Sequence, residues 1–456
     1  MSTTRPDRST DAPRPADNGG APGFRALLLA FRSLRYRNFR LFFAGQSLSL
    51  IGTWMQNVAM SWLVYRLTGS AFILGLVSFA NQIPILLLSP VAGVLADRRS
   101  RRRIILTTQS LAMVQSLALA TLALSGAIQV WHVLLLAVFL GTVNAFDIPA
   151  RQAFLVQLVH GPEDLANAIA LNSSMFNAAR LVGPAVAGVL IGLIGEGYVL
   201  LINGVSYVFV LSALLAMRVT TPPLRRRRAP ALLQVVQGFR YATRFTPIRA
   251  LLTLLAVINL VAIPYIVLLP IFATEVLGGD ARTLGFLMSA AGSGALAGAL
   301  FLAARTSVRG LGRLITVCTL LLGTAMIGFG LSRLQPLSLA LLLVVGFAVM
   351  IQTAGCNTII QTIVQERLRG RVMSLYSMFT IGTAPLGSLA AGAIASRIGA
   401  PATVTLGGIA TIGTSIWFTT RLPALRASIR PIYQRLGIIP EVADGLRAAT
   451  EYRPRQ

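Results

Sequence analysis

Apolar stretches of about 20 residues follow one another along most of this chain, joined by short connections rich in arginine. Twenty residues is the length at which an α-helix crosses the hydrocarbon core of a bilayer, and a crossing backbone must satisfy its own hydrogen bonds, as a helix does. Twelve such stretches are legible: 39–64, 70–95, 104–125, 131–152, 168–194, 198–217, 248–273, 283–304, 314–332, 337–360, 372–395 and 401–421. They predict an all-α integral membrane protein with twelve transmembrane helices. Composition agrees: 55% of the 456 residues are hydrophobic and 12% charged, against about 25% charged in soluble domains.

The formal net charge of +26 invites a nucleic-acid reading, which the distribution of the charge excludes. All 40 basic residues are arginine, and they cluster between the apolar stretches. With the N-terminus inside, thirty-five of them fall on the cytoplasmic side; Arg66, Arg282, Arg333 and Arg397 fall opposite, and Arg180 lies within a span. The positive-inside rule then places both termini in the cytoplasm of a bacterial inner membrane protein.

Between the spans lie a polar tail at 1–23 and a basic amphipathic piece at 24–37, expected as a helix on the inner membrane surface. A linker at 218–247 carries the run Arg225–Arg228, suited to anionic lipid. The organisation expected is a tail over 1–38, a six-helix bundle over 39–217, the linker, a second bundle over 248–421 and a cytoplasmic tail over 422–456. Cys318 and Cys356 fall inside apolar stretches and read as buried free thiols. His132 and His160 lack metal-ligand spacing, so no metal is expected.

The chain repeats itself. A shift of 210 residues lays Gly69, Ala71, Leu74, Gly75 and Ala80 on Gly279, Ala281, Leu284, Gly285 and Ala290. A shift of 203 lays Glu163, Leu165, Ser174, Met175 and Phe176 on Glu366, Leu368, Ser377, Met378 and Phe379. Two parallel halves of six helices are one repeat plan of secondary transporters.

The second-to-third connection reads Gly93-Val94-Leu95-Ala96-Asp97-Arg98-Arg99-Ser100-Arg101-Arg102-Arg103. It resembles the signature Gly-x-Leu-x-Asp-Arg-x-Gly-Arg-Arg of the major facilitator superfamily, with Ser100 in place of the last glycine. The resemblance implies the superfamily fold of two pseudo-symmetric six-helix bundles. It also implies that Gly93, Leu95, Asp97, Arg98, Arg101 and Arg102 form a latch holding the halves together when the transporter faces out. Asp97, the one acid in this loop, could pair with Arg101 or cap a helix; its second-half counterpart is Ser307.

The fifth span carries Arg180-Leu181-Val182-Gly183-Pro184-Ala185-Val186-Ala187-Gly188. Gly183, Pro184 and Gly188 partly match the Gly-Pro motif of exporters in the superfamily, which favours export over import; the alternative reading is a packing kink without directional meaning. Three further pieces, 37–46, 147–154 and 369–374, resemble the enterobactin exporter, or transmembrane secretion effector, branch. That resemblance implies proton-driven efflux of a siderophore or another amphipathic small molecule. Importer, lipid flippase and non-transporting scaffold remain alternatives on the same fold.

Ionisable residues in spans are costly and few here. Asp147 has Arg151 one turn on, so the two read as a structural pair or as a proton-coupling site. Arg180 reads as a counter-ion of Asp147 or as an attractor for an anionic substrate. By resemblance, helices 1, 4, 7 and 10 line a central cavity. Its candidate residues are Gln46, Trp54, Gln56, Asn57, Asn144, Asn259, Tyr265, Gln352, Asn357 and Gln361, although amides in apolar spans also serve helix packing. Without lysine there is no Walker-type phosphate loop. An enzyme is not expected, nor any catalytic residue or cofactor; a gradient supplies the energy. The partners expected are a small-molecule substrate and membrane lipids, no nucleic acid, and a monomer suffices.

Overall fold

The computed structural model describes residues 31–218, 245–305 and 307–435. The Arg225–Arg228 run, the tail before residue 31 and the chain beyond 435 lie outside those residues, as do the side chains of Asp97 and Arg98.

Among the described residues no strand occurs, and twelve helices follow in order. The first half holds α1 (Arg37–Thr68), α2 (Ala71–Arg98), α3 (Arg101–Leu124), α4 (Val130–Leu155), α5 (Pro162–Ile194) and α6 (Glu196–Ala216). The second half opens with α7, made of Thr246–Val261, Tyr265–Ile271 and a π-helical turn at Phe272–Val276. There follow α8 (Ala281–Ala303), α9 (Leu311–Leu331), α10 (Gln335–Ile363), α11 (Glu366–Ile381 and Ala384–Ile398) and α12 (Ala400–Arg435). Ten of the twelve are long and apolar enough to cross a membrane; α1 and α12 are the two that are not. Gln46, Gln56 and Asn57 dilute the hydropathy of α1, and a run of Thr and Gly dilutes that of α12. Both are nonetheless built into the bundles, α1 against α5 and α6, α12 against α7 and α9.

Local sequence sets the helix limits. Gly69 ends α1 at φ 58°, a left-handed conformation that costs glycine no Cβ clash. Asp280 opens α8 by accepting from the amides of Arg282 and Thr283 at 2.9 and 3.2 Å. α5 starts on Pro162 with Glu163 and Asp164 in its first turn, where the helix dipole favours acid.

Three helices depart from the sequence expectation. The seventh span, expected unbroken over 248–273, is interrupted at Ala262–Pro264, because Pro264 has no amide to continue the ladder. The eleventh, expected over 372–395, breaks at Gly382 and Thr383, ahead of Pro385. The twelfth runs on to Arg435 rather than yielding to a tail at 422. Leu422, Leu425, Ile429 and Tyr433 recur on one buried face of that extension, a helical pattern that flanking arginines hide from a hydropathy window.

The basic piece before α1 also differs in its described part. Residues Arg32–Arg35 form one 3-10 turn strapped to the start of α5 rather than a surface helix. Ser33 donates its amide to Asn167 Oδ1 at 3.1 Å and its hydroxyl to the Asp164 carbonyl at 2.8 Å. Arg35 and the Tyr36 hydroxyl both reach Asp164 Oδ2, at 2.5 and 2.6 Å. The acids at the α5 N-terminus thus neutralise arginines that a membrane would otherwise attract.

Within each half the same helices pack at the same places. A Cβ on Gly141 of α4 would run into the Asn81 carbonyl of α2, and one on Gly346 of α10 into the Ala291 carbonyl of α8. Gly346 is 205 residues after Gly141, and Ala291 is 210 after Asn81, so the repeat read in the sequence is a repeat of packing. Small residues let these backbones touch where a hydrophobic driving force is absent.

Candidate functional site

The halves meet along two seams, α5 against α8 and α2 against α11. At the face opposite the arginine-rich connections each seam is a glycine crossing. A Cβ on Gly285 would stand 2.8 Å from the Gly188 Cα, and one on Gly392 would stand 3.1 Å from the Gly75 Cα. The first seam continues to mid-helix, where a Cβ on Gly292 would meet the Arg180 carbonyl at 2.8 Å. The second continues to Gly382, whose Cβ would meet the Leu86 side chain at 2.6 Å. Toward the arginine-rich face the α2–α11 seam loosens among the described residues: Gly93 and Gly370 have open space where a Cβ would stand, and Val91 and Leu95 are exposed. Among the described residues the tight crossings between the halves gather at mid-helix and at the face opposite the arginine-rich connections.

Side chains add to the contacts at that opposite face. Tyr65, near the end of α1, donates to Glu275 Oε1 in the π turn of α7 at 2.5 Å. Arg66 pairs with Glu196 at the start of α6. Neither contact was anticipated from sequence.

Arg180 does not pair with Asp147. Its guanidinium lies 5.8 Å from the centre of the Trp54 ring, a cation–π arrangement, and no ion pair to it occurs among the described residues. One turn earlier on α5, Phe176 meets the same indole edge-on at 6.0 Å. Gly183 is small because Trp54 stands against it: a Cβ there would fall 2.5 Å from the Trp54 Cβ. Pro184 lies inside α5 with its carbonyl against Gly285, which explains the motif as seam packing. Tyr265 is buried on α7, within electrostatic reach of Arg180.

Asp147 is 2% exposed, in the seam between α3 and α4. Its Oδ1 accepts from Thr108 Oγ1 at 2.8 Å and from Gln109 Nε2 at 2.9 Å, and its Oδ2 pairs with Arg151 at 3.1 Å. Position for position from the start of the repeated helix, Asp147 of α4 corresponds to Gln352 of α10. Gln352 is fully buried and its Nε2 has no hydrogen-bond partner. Gln46 is likewise buried with Oε1 unpartnered.

The other amides divide. Gln56, expected in the cavity, is instead the hub of a buried network. It donates to Gln115 at 3.0 Å and accepts from Asn203 at 2.5 Å, and Asn203 also reaches Ser116 at 3.2 Å. Asn259 turns onto its own helix, donating to the Leu255 carbonyl at 2.9 Å. Asn357 and Gln361 bond each other at 2.6 Å, Gln361 being exposed. Asn57 and Asn144 are half-buried. Gln115 and Asn203 were not singled out from sequence; their polarity inside apolar spans was the available signal.

The latch arginines work within the first half. Arg101 donates to the Ala153 carbonyl at 3.1 Å, and Arg102 to the Leu214 and Leu215 carbonyls at 2.9 and 3.1 Å. They cap the C-terminal ends of α4 and α6, where a helix dipole favours a cation.

Two repeated halves sealed by glycine seams at one face, with a cation and aromatic faces at mid-helix, define a transporter of the major facilitator type. Residues 29–436 match the family described as transmembrane secretion effectors, and the chain belongs to that family. It is 27% identical over 382 residues to the staphyloferrin A transporter of Staphylococcus aureus, covering 83% of this chain and 95% of that one. It is 28% identical over 364 residues to the multidrug efflux pump Tap of Mycolicibacterium fortuitum, covering 77% and 88%. Among solved structures, a bacterial homologue of the human lysosomal transporter Spinster, inward-facing and unoccupied, superposes with a TM-score of 0.63 at 16% identity, over 91% of this chain and 99% of that one. The chain is a multi-pass bacterial membrane transporter of small molecules.

Proposed function

We propose that the chain exports a small amphipathic molecule in exchange for protons, by alternating access, with both termini in the cytoplasm. The observation that carries the proton part is the carboxylate of Asp147. Three carboxylates are buried among the described residues: Asp147, Asp164 and Glu196. Asp164 and Glu196 sit in the first turns of their helices and are held by arginines there. Asp147 alone lies inside a span, where an ionisable group is expensive unless used.

The direction of transport rests on the relatives named as efflux pumps and on the Gly183-Pro184 motif at the seam. The orientation rests on the arginine count, which makes the arginine-rich face, where the α2–α11 seam loosens, the cytoplasmic one. Arg180 over Trp54, with Phe176 beside it, suits a substrate that joins a planar apolar body to an anionic group. Its lack of a carboxylate partner among the described residues favours this role over that of a counter-ion.

The test is proton movement in proteoliposomes holding a pH-sensitive dye, challenged with siderophores and with cationic drugs. Expected is a flux evoked by one class and abolished in Asp147→Asn. An Asp147→Asn protein that exports at full, uncoupler-sensitive rate would remove this residue from coupling.

A further inference from the structure

A cavity of about 420 Å³ lies away from the seams, on the outer wall of the second half, between the start of α9 and the C-terminal extension of α12. Its floor includes Leu425 and Ile429, and its rim carries Arg309, Arg313, Arg426 and Arg430. All four arginines are exposed, and no ion pair from any of them occurs among the described residues. Four guanidiniums around an apolar floor suit an amphipathic anion.

The surroundings say which kind. Arg313 begins a stripe on α9 that continues through Val317 and Leu320, both exposed. Arg430 and Arg426 begin a stripe on α12 that continues through Thr419 and Ile416, also exposed. Both stripes run from the arginine rim down the membrane-facing surface of spans that pack only against their own half. A soluble anion would meet the rim and find no use for the floor or the ridge below it. A phospholipid meets all three: phosphate on the arginines, glycerol backbone over Leu425 and Ile429, and acyl chain along Val317 and Ile416.

We propose that this cavity is a binding site for an anionic phospholipid of the arginine-rich leaflet. The lipid cross-links α9 to the α12 extension, so it holds that extension, whose Pro423 and Pro431 weaken its own ladder, against the bundle.

The full chain, purified in mild detergent, is titrated with phosphatidylglycerol, with phosphatidylethanolamine and with soluble glycerol phosphate, and bound lipid is counted by native mass spectrometry. Phosphatidylglycerol is expected to be retained over phosphatidylethanolamine. The Arg426→Gln/Arg430→Gln variant is expected to bind it roughly 30-fold more weakly, from the usual contribution of an arginine near anionic lipid. Arg397→Gln, at the opposite face, is the control and should bind as the parent does. Unchanged retention in the double variant overturns the site. Displacement of the lipid by millimolar glycerol phosphate would make it a site for free anions and overturn the lipid assignment. Since a variant with a loosened extension could lose lipid indirectly, Arg309→Gln/Arg313→Gln is added. It changes only exposed side chains of the rim outside the extension and should weaken phosphatidylglycerol to a similar degree; unchanged retention in it also counts against the proposal.

Discussion

The Tyr65 hydroxyl bonds Glu275 Oε1 across the two halves, and the residues lie 210 positions apart, the shift that lays Gly69 on Gly279. A contact between matching places in two repeated halves sits on the axis that relates them. It therefore breaks whenever the halves rock apart at that face. Tyr65→Phe should favour opening there about two- to tenfold, the worth of one hydrogen bond. A cysteine introduced at Ser388, buried under the α2–α11 seam, reports this as faster labelling by a membrane-impermeant thiol reagent. Cys318 and Cys356 are buried and add little background.

Gly188 and Gly285 leave no room for a side chain between α5 and α8. In Gly285→Val the new Cβ would press on the Pro184 carbonyl at 2.5 Å and the Gly188 Cα at 2.8 Å, both backbone. Closure at this face should fail, turnover should be lost, and labelling at Ser388→Cys should rise above that of Tyr65→Phe. Retained turnover with unchanged labelling would show that the seam can relax around a Cβ.

Asn203 donates to Gln56 and Ser116 and accepts from the Ser206 hydroxyl, so the four form one network. Asn203→Ala strands the Gln56 carbonyl in an apolar interior and should cost about 1–3 kcal/mol of stability. Thermal unfolding in detergent measures the loss. Because these amides pack the first half together, the KM for substrate should stay within about twofold of the parent while the melting point falls.

Asp147 and Arg151 can be separated as structure and as coupling. Asp147→Asn leaves Arg151, 23% exposed, without its acid, at about 3 kcal/mol by analogy with other broken buried pairs. Arg151→Gln added to it should restore part of the melting point. It should not restore proton exchange, since no titratable carboxylate returns. Recovery of exchange in the double variant would reduce Asp147 to a strut.

Most of the fold was legible because membrane spans announce themselves by length and apolarity, and because the repeat checks the count. The limits of α2 and α8 follow from Gly69, Asp280 and the arginines that end them. The breaks at Ala262–Pro264 and Gly382–Thr383 were not, since a hydropathy average does not register a missing amide donor. The site was legible only in part. Trp54 and Arg180 were both singled out, but their contact depends on the crossing of α1 and α5 at Gly183. Gln56 was assigned to the cavity because its side of the helix could not be read without Gln115 and Asn203 opposite. Tyr65 and Glu275 each lie near a helix end and carry no motif; only the 210-residue shift linked them.

The carboxylate of Asp147 and the amide of Gln352 occupy one position in the two halves, and this inequality has an electrical meaning. Paired with Arg151, ionised Asp147 is neutral overall, as Gln352 always is. Once it takes a proton, the first half gains one positive charge that the second half cannot match. Under the proton-exchange reading, the membrane potential therefore adds a pull on the proton-loaded stroke that the unloaded one lacks, at about 2.3 kcal/mol per charge for every 100 mV the charge crosses. Duplication gave the protein two similar bundles; under that same reading, a single residue lets only one of them carry the proton's charge.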